Sequence, residues 1–179
     1  MSAQDDQVRS LLRRDTRYKR LKSTFDTSDL FQIPFDEYKD ELKMLHKTRM
    51  IHKLSPGHPN FVKNLTEAAI KDTTNRHRYS EILVSATEAH VSLSKMIEAF
   101  ESYFLVRYSQ DMKHIRTKEE RKAFIKAVMN KFHEYLNDTH ELITILKIYL
   151  EDIDKASFTV KHLIDAFQIL AKRDYTEIG

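Results

Sequence analysis

The residues best suited to chemistry lie between Ser102 and Lys131. Arg107, Lys113, Arg116, Lys118, Arg121, Lys122, Lys126 and Lys131 stand there against Asp111, Glu119 and Glu120, a net charge of +5 over thirty residues, with Tyr103, Phe104, Tyr108 and Phe124 between them. Cations neutralise phosphates and release their counterions, and aromatic faces stack on unpaired bases at roughly 1–3 kcal/mol per base. The combination points to single-stranded nucleic acid. Phe104 and Phe124 fall at helical spacing and read as core. Tyr108, beside Arg107 at a helix end, is the stacking candidate. A second basic run, Arg9, Arg13, Arg14, Arg17, Lys19, Arg20 and Lys22, is opposed only by Asp15. From it, Arg13, Arg14 and Arg17 join the expected nucleic-acid contacts.

Other chemistry finds little footing. His133-Glu134 and His140-Glu141 are seven residues apart, two helical turns, whereas two histidines sharing a zinc ion on a helix sit one turn apart. Glu151, Asp152 and Asp154 resemble a carboxylate set for magnesium, but a solvated or salt-bridged face accounts for them more simply. Two glycines leave no room for a phosphate-cradling loop or a nucleophile elbow, and the absence of cysteine removes thiol nucleophiles, disulfides and thiolate metal sites. No enzymatic activity, metal or cofactor is expected.

The elements that position these residues are helical. A chain of 179 residues with 41% hydrophobic and 32% charged residues, 2 Gly and 3 Pro suits helices with broad solvated faces around one core. Pro34 opens a helix over 35–53, with Asp36 and Glu37 in its first turn and Phe35, Tyr38, Leu42, Leu45 and Arg49 following at steps of three and four. Ser55-Pro56-Gly57-His58-Pro59 is the one concentrated turn signal. A long helix then runs from Asn60 to about Gln110, with the weak helix formers Asp72-Thr73-Thr74-Asn75 as its expected bend. Thr117 and Glu120 form a capping box that starts a second long helix reaching Ile153, and Ser157 caps a short final one bearing Phe158, Leu163, Phe167 and Leu170. The expected fold is therefore all-α: a long antiparallel helical hairpin, a short C-terminal helix and an N-terminal helix. Residues 1–33 form a basic, mobile arm in front of a helical domain over 34–179.

The second long helix is apolar around most of its circumference near Leu142, Ile143, Leu146, Tyr149 and Leu150, and such a helix must be surrounded. Self-association is the simplest way, with an intramolecular core completed by the N-terminal helix as the alternative. Leu142, Ile143, Leu146, Tyr149, Leu150, Ile153, Phe158, Leu163 and Phe167 are the expected contacts of a ring-like homo-oligomer. No apolar run approaches the roughly 18 residues of a membrane span, and the N-terminus lacks the apolar core of a signal peptide, so no membrane is expected and the chain reads as cytoplasmic, in a host cytoplasm if phage-encoded.

Leu150, Ile153, Phe158, Lys161, His162 and Asp165 match without a gap the C-terminal segment of the UvsY family, the recombination mediators of T-even-type phages. Arg107-Tyr108-Ser109-Gln110 stands where that family has Tyr-Tyr-Ser-Gly, and Tyr79-Ser80 resembles its Tyr-Ser pair, so the resemblance spans residues 35–170. It implies a helical protein that forms ring-like oligomers, binds single-stranded DNA and helps load a RecA-like recombinase onto strands covered by single-strand binding protein, in DNA recombination and repair. Where the family has Lys-x-Arg, this chain has Ser102 and Phe104. Arg107, Lys113, Arg116 and Lys118 would replace those contacts, and the basic arm would add to them. Two plainer alternatives remain: a phage assembly component, a small-terminase-like or scaffold-like helical ring that prefers duplex DNA or protein, and a helical adaptor whose charges only solubilise it.

Overall fold

The computed structural model describes residues 3–55 and 58–176. Pro56 and Gly57, the centre of the expected turn, and the side chain of Leu170 lie outside the described residues. Helix makes up 86% with no strand among the described residues, and one long helix packs against another. In chain order the helices are α1 (Ala3–Arg14), α2 (Thr16–Thr27), α3 (Phe35–Lys47), α4 (Phe61–Arg107), α5 (Lys118–Val128) and α6 (Asn130–Thr176), with single 3-10 turns at Asp29–Phe31 and Met50–Lys53.

Local chemistry explains several boundaries. The Thr117 hydroxyl accepts from the Glu120 amide at 3.1 Å and the Glu120 carboxylate accepts from the Thr117 amide at 3.1 Å, so the capping box opens α5 as expected. The Asp72–Asn75 stretch does not break α4, which runs through it unbroken. Thr73 and Thr74 turn their hydroxyls back onto the carbonyls of Ala69 and Ile70 at 2.9 and 3.2 Å, keeping the polar groups inside the helix. Two expectations about the second long helix fail. It breaks at Met129, whose amide bonds both Ile125 and Lys126 carbonyls, and it then continues through Ser157 to Thr176 with no separate short C-terminal helix. No Gly or Pro interrupts α6, and a lone serine is too weak a signal to stop it.

The chain divides into two compact units: Met1–Phe35 with Ser85–Glu141, and Asp36–Val84 with Leu142–Gly179. The chain passes between the units after Phe35, two residues beyond the expected boundary at 33, and twice more within α4 and α6. In the first unit α4 and α6 run antiparallel, with Glu101 meeting His133 at 3.4 Å and His90 meeting Thr139 at 3.0 Å. Residues 3–31 are not a free arm there. Val8, Leu12, Leu21, Phe25 and Phe31 are buried in one core with Leu93, Phe104, Ile125 and Phe132. The two short stripes Val8/Leu12 and Leu21/Phe25 could not hold a helix alone, but the core supplies the surface that covers them.

In the second unit α4 and α6 are again antiparallel, as Arg76–Asp154 at 2.8 Å and the ring pairs Tyr79–Tyr149 and Phe61–Phe167 show. Arg49, which the sequence places in the α3 stripe, lies beyond α3. Its side chain is fully buried and grips Asp72 of α4 with two hydrogen bonds, Nε to Oδ1 at 2.9 Å and Nη2 to Oδ2 at 2.5 Å, and also Asp152 of α6. Arg78 makes a second two-pronged pair with Glu41 at 2.9 and 3.0 Å.

Candidate nucleic-acid interface

The first unit joins the two basic regions that lie far apart in the sequence. Asp15 sits between α1 and α2 and caps α2 through the amides of Arg17 at 2.7 Å and Tyr18 at 3.4 Å. Its other oxygen accepts from the hydroxyls of Tyr108 at 2.7 Å and Tyr103 at 3.3 Å. The Arg17 guanidinium lies 3.9 Å from the centre of the Tyr103 ring, and the Arg9 guanidinium 5.1 Å from that of Phe124. His114 of the α4–α5 turn meets Asp5 of α1 at 3.0 Å. The arm is therefore seated against the turn and the ends of α4 and α5 by one carboxylate, two cation–ring contacts and the His114–Asp5 contact.

Charge follows this packing. Residues 1–22 carry +4 and residues 107–131 carry +5, so the part they build together carries +9, while the rest of the first unit carries −7. Glu88 lies on α4 about 28 Å from Arg107 at 1.5 Å per residue. The net charge of the unit is only +2, and the two sets meet where Asp26 bonds Lys131 at 2.8 Å.

The individual candidates fare unequally. Arg13, Arg14, Arg17, Arg107, Lys113, Arg116, Lys118 and Lys122 are exposed. Arg121 is half-buried and donates from Nε to the Ile115 carbonyl at 2.9 Å, which closes the turn. Tyr108 is not an open stacking platform: its ring stacks on Phe104 at 4.9 Å and 20°, and its hydroxyl is committed to Asp15. Burial first, and then the bond to Asp15, push its pKa up to about 12. Phe104 is fully buried, as its spacing implied. The oligomer candidates divide as well. Leu142, Ile143, Leu146 and Ile153 are buried within the chain, so they are spent on its own core and not, as expected, on subunit contacts. Tyr149 and Leu150 are half-buried, and only Phe158 (65% exposed), Leu163 and Phe167 remain outward.

Burial works to raise the Asp15 pKa, but the Tyr108 hydroxyl, the Arg17 and Tyr18 amides and the Tyr103 hydroxyl outweigh it and hold the carboxyl below its usual range. A depressed folded-state pKa contributes stability that is present above the unfolded value and lost as pH falls through the folded one, here below about pH 4. Asp15→Ala is expected to cost about 1–2 kcal/mol at pH 7. The difference from the parent protein in a melting experiment should shrink as pH drops from 4 towards 2. A difference unchanged down to pH 2 would contradict the assigned role of the carboxylate.

The acidic cluster is accounted for by neighbours. Glu151 pairs with Lys155 at 2.7 Å, Asp154 with Arg76 at 2.8 Å and Asp152 with Arg49. Because α6 continues to Thr176, these carboxylates are not at a helix C-terminus, as the sequence implied. Among the described residues no three His, Asp or Glu side chains converge on a metal-sized site, and no helix is long and apolar enough to cross a membrane.

No family model, curated protein or solved structure matches the chain. The resemblance drawn from the sequence thus rests on the residues that carry it. Of these, Phe158, Lys161, His162 and Asp165 are exposed on α6, with the Phe158 and His162 rings 4.3 Å apart, and Ile153 is core. What the sequence could not place is the meeting of arm and turn. A signal existed in the unusual run Arg13-Arg14-Asp15, a single carboxylate among cations at a helix start, which is the pattern of an N-cap with more than one task.

Proposed function

We propose that this protein binds single-stranded DNA through the basic part of its first unit, works as a homo-oligomer, and helps load a RecA-like recombinase onto DNA covered by single-strand binding protein. The observation that carries the DNA-binding part is the seating of the basic arm on the basic turn, which gathers +9 of formal charge in one part of a unit that is otherwise −7. A charge of that size attracts phosphates, and repetition around an oligomer multiplies it through effective concentration. Of the residues expected at subunit contacts, Phe158, Leu163 and Phe167 on α6 are exposed. The mediator role rests on the family resemblance at Leu150–Asp165.

The test is an assembly assay with a RecA-like recombinase on single strands pre-covered by single-strand binding protein. The protein should shorten the lag before strand-dependent ATP hydrolysis begins, and mass photometry at micromolar concentration should show an oligomer. An unchanged lag would remove the mediator role, and a monomer would remove the ring.

A further inference from the structure

Helix α2 is a ridge with cations down both sides. One flank carries Arg17 and Arg20 over Met96, Ala99 and Phe100 of α4. The other flank faces α5 and the start of α6 and forms a groove lined by Arg13, Tyr18, Lys19, Lys22, Lys131 and Phe132. Resting on the reading that the protein binds single-stranded DNA, we propose that this second groove, and not the α4–α5 turn that the sequence favours, is the principal seat of the phosphodiester backbone.

Three observations carry this. First, Arg13, Lys19 and Lys22 are exposed and make no ion pair among the described residues, so converging positive charge is left uncompensated. Of the carboxylates on this side of the arm, Asp15 is held elsewhere by Tyr103 and Tyr108. Lys131 is partly neutralised by Asp26 at 2.8 Å and held 5.1 Å from the centre of the Phe25 ring, which fixes its position at the groove wall. Second, Lys19 and Lys22 are three residues apart on one helix and share a face, so they present charge in a row, as a polymer of regularly spaced anions requires. Third, the floor is apolar: Ala127, Val128 and half-buried Tyr18, whose ring meets buried Phe132 edge-on at 6.1 Å. An acidic peptide offers charges without flat apolar faces. A single strand offers both, and so fits a groove with cationic walls and an apolar floor.

Of the turn residues, two are attached to structure, while Arg107, Lys113, Arg116 and Lys122 are exposed but are not gathered into one groove with an apolar floor. Arg121 holds the Ile115 carbonyl, His114 holds Asp5, and Lys118 opens α5 immediately before Glu119 and Glu120.

The experiment measures binding of the full chain to fluorescent oligo-dT, to a duplex of equal length and to poly-glutamate, over a range of salt. K19Q/K22Q removes two phosphate contacts. At about 0.7 units of log–log salt slope per single-strand contact, it should lower affinity for oligo-dT about 25-fold at 0.1 M salt and flatten the slope by about 1.4. K19E/K22E should lose more, and R116E/K118E, with the same change in charge, should lose less. All the changed side chains are exposed, so melting curves should coincide with the parent. If the parent binds oligo-dT but K19Q/K22Q leaves affinity and slope unchanged, or R116E/K118E costs as much as K19E/K22E, the groove assignment is overturned while DNA binding stands. Equal affinity for poly-glutamate or tighter binding of the duplex overturns the single-strand assignment. A parent protein that binds no oligo-dT at low salt removes the underlying reading itself.

Discussion

Replacing Asp72 with alanine is expected to destabilise the second unit by about 3–5 kcal/mol, towards the lower figure. The Arg49 side chain is fully buried and Asp72 is 3% exposed, so their charges are held out of water and depend on each other. Removing the carboxylate leaves a buried guanidinium with Asp152 as its remaining partner, and Asp152 is 44% exposed. That residual contact is why the loss should fall near 3 kcal/mol, a Tm lower by roughly 6–12 °C for a chain of this size. The hydrogen bonds that Arg49 donates to Asp72 are also the main cause raising its pKa, ahead of the opposing effect of burial. Without Asp72 the guanidinium is still too basic to shed its proton, so it cannot escape the penalty that way. The double variant Arg49→Met/Asp72→Leu should recover most of the loss, because a buried pair replaced by apolar side chains of similar volume is often neutral or better. Thermal melts of the single and double variants check both statements. A single variant within 1 kcal/mol of the parent would mean that the pair is not buried in solution.

Phe25→Ala is the second large effect, at about 3–5 kcal/mol lost from the first unit. Phe25 stacks on Phe31 at 5.5 Å, meets Phe132 and Tyr135 edge-on at 5.1 Å each, and is only 7% exposed. Truncation would empty the centre of four rings and release Lys131 from the ring it covers. The value separates two pictures of the N-terminus. A mobile basic arm would lose nothing measurable on Phe25→Ala, whereas a segment packed into the core loses several kcal/mol in a denaturant titration.

What could be read in the sequence follows the range of the interactions involved. The capping box at Thr117/Glu120 is a local signal three residues long, and it holds. Helix α4 follows from periodicity without Gly or Pro, whereas α3, expected to reach 53, ends at Lys47 and is followed by the 3-10 turn at Met50–Lys53. The packed arm did not show itself because its apolar residues come as two pairs, Val8/Leu12 and Leu21/Phe25, whose partners Leu93, Phe100 and Phe132 lie at least 68 positions downstream. The Arg49–Asp72–Asp152 cluster was hidden for the same reason, though Asp72 left a trace: it follows Leu65 and Ala68 at helical steps on a face that is otherwise buried. A carboxylate on such a row calls for a cation. The over-apolar stretch near Leu142–Leu150 was correctly seen as needing cover, but the chain itself covers Leu142, Ile143 and Leu146. For the binding surface, residue types were legible and arrangement was not. Lys19, Lys22 and Lys131 come from segments that only the fold brings to one groove, and Tyr108 lost its stacking role to a hydrogen bond with a carboxylate at the far end of the sequence.

The most direct measurement of the central claim is the affinity for labelled oligo-dT by fluorescence anisotropy at salt concentrations from about 50 to 300 mM. With four or more phosphates neutralised, log affinity should fall linearly with log salt at a slope of about −3 or steeper. Absence of binding at 50 mM, or binding that ignores salt, would contradict the account.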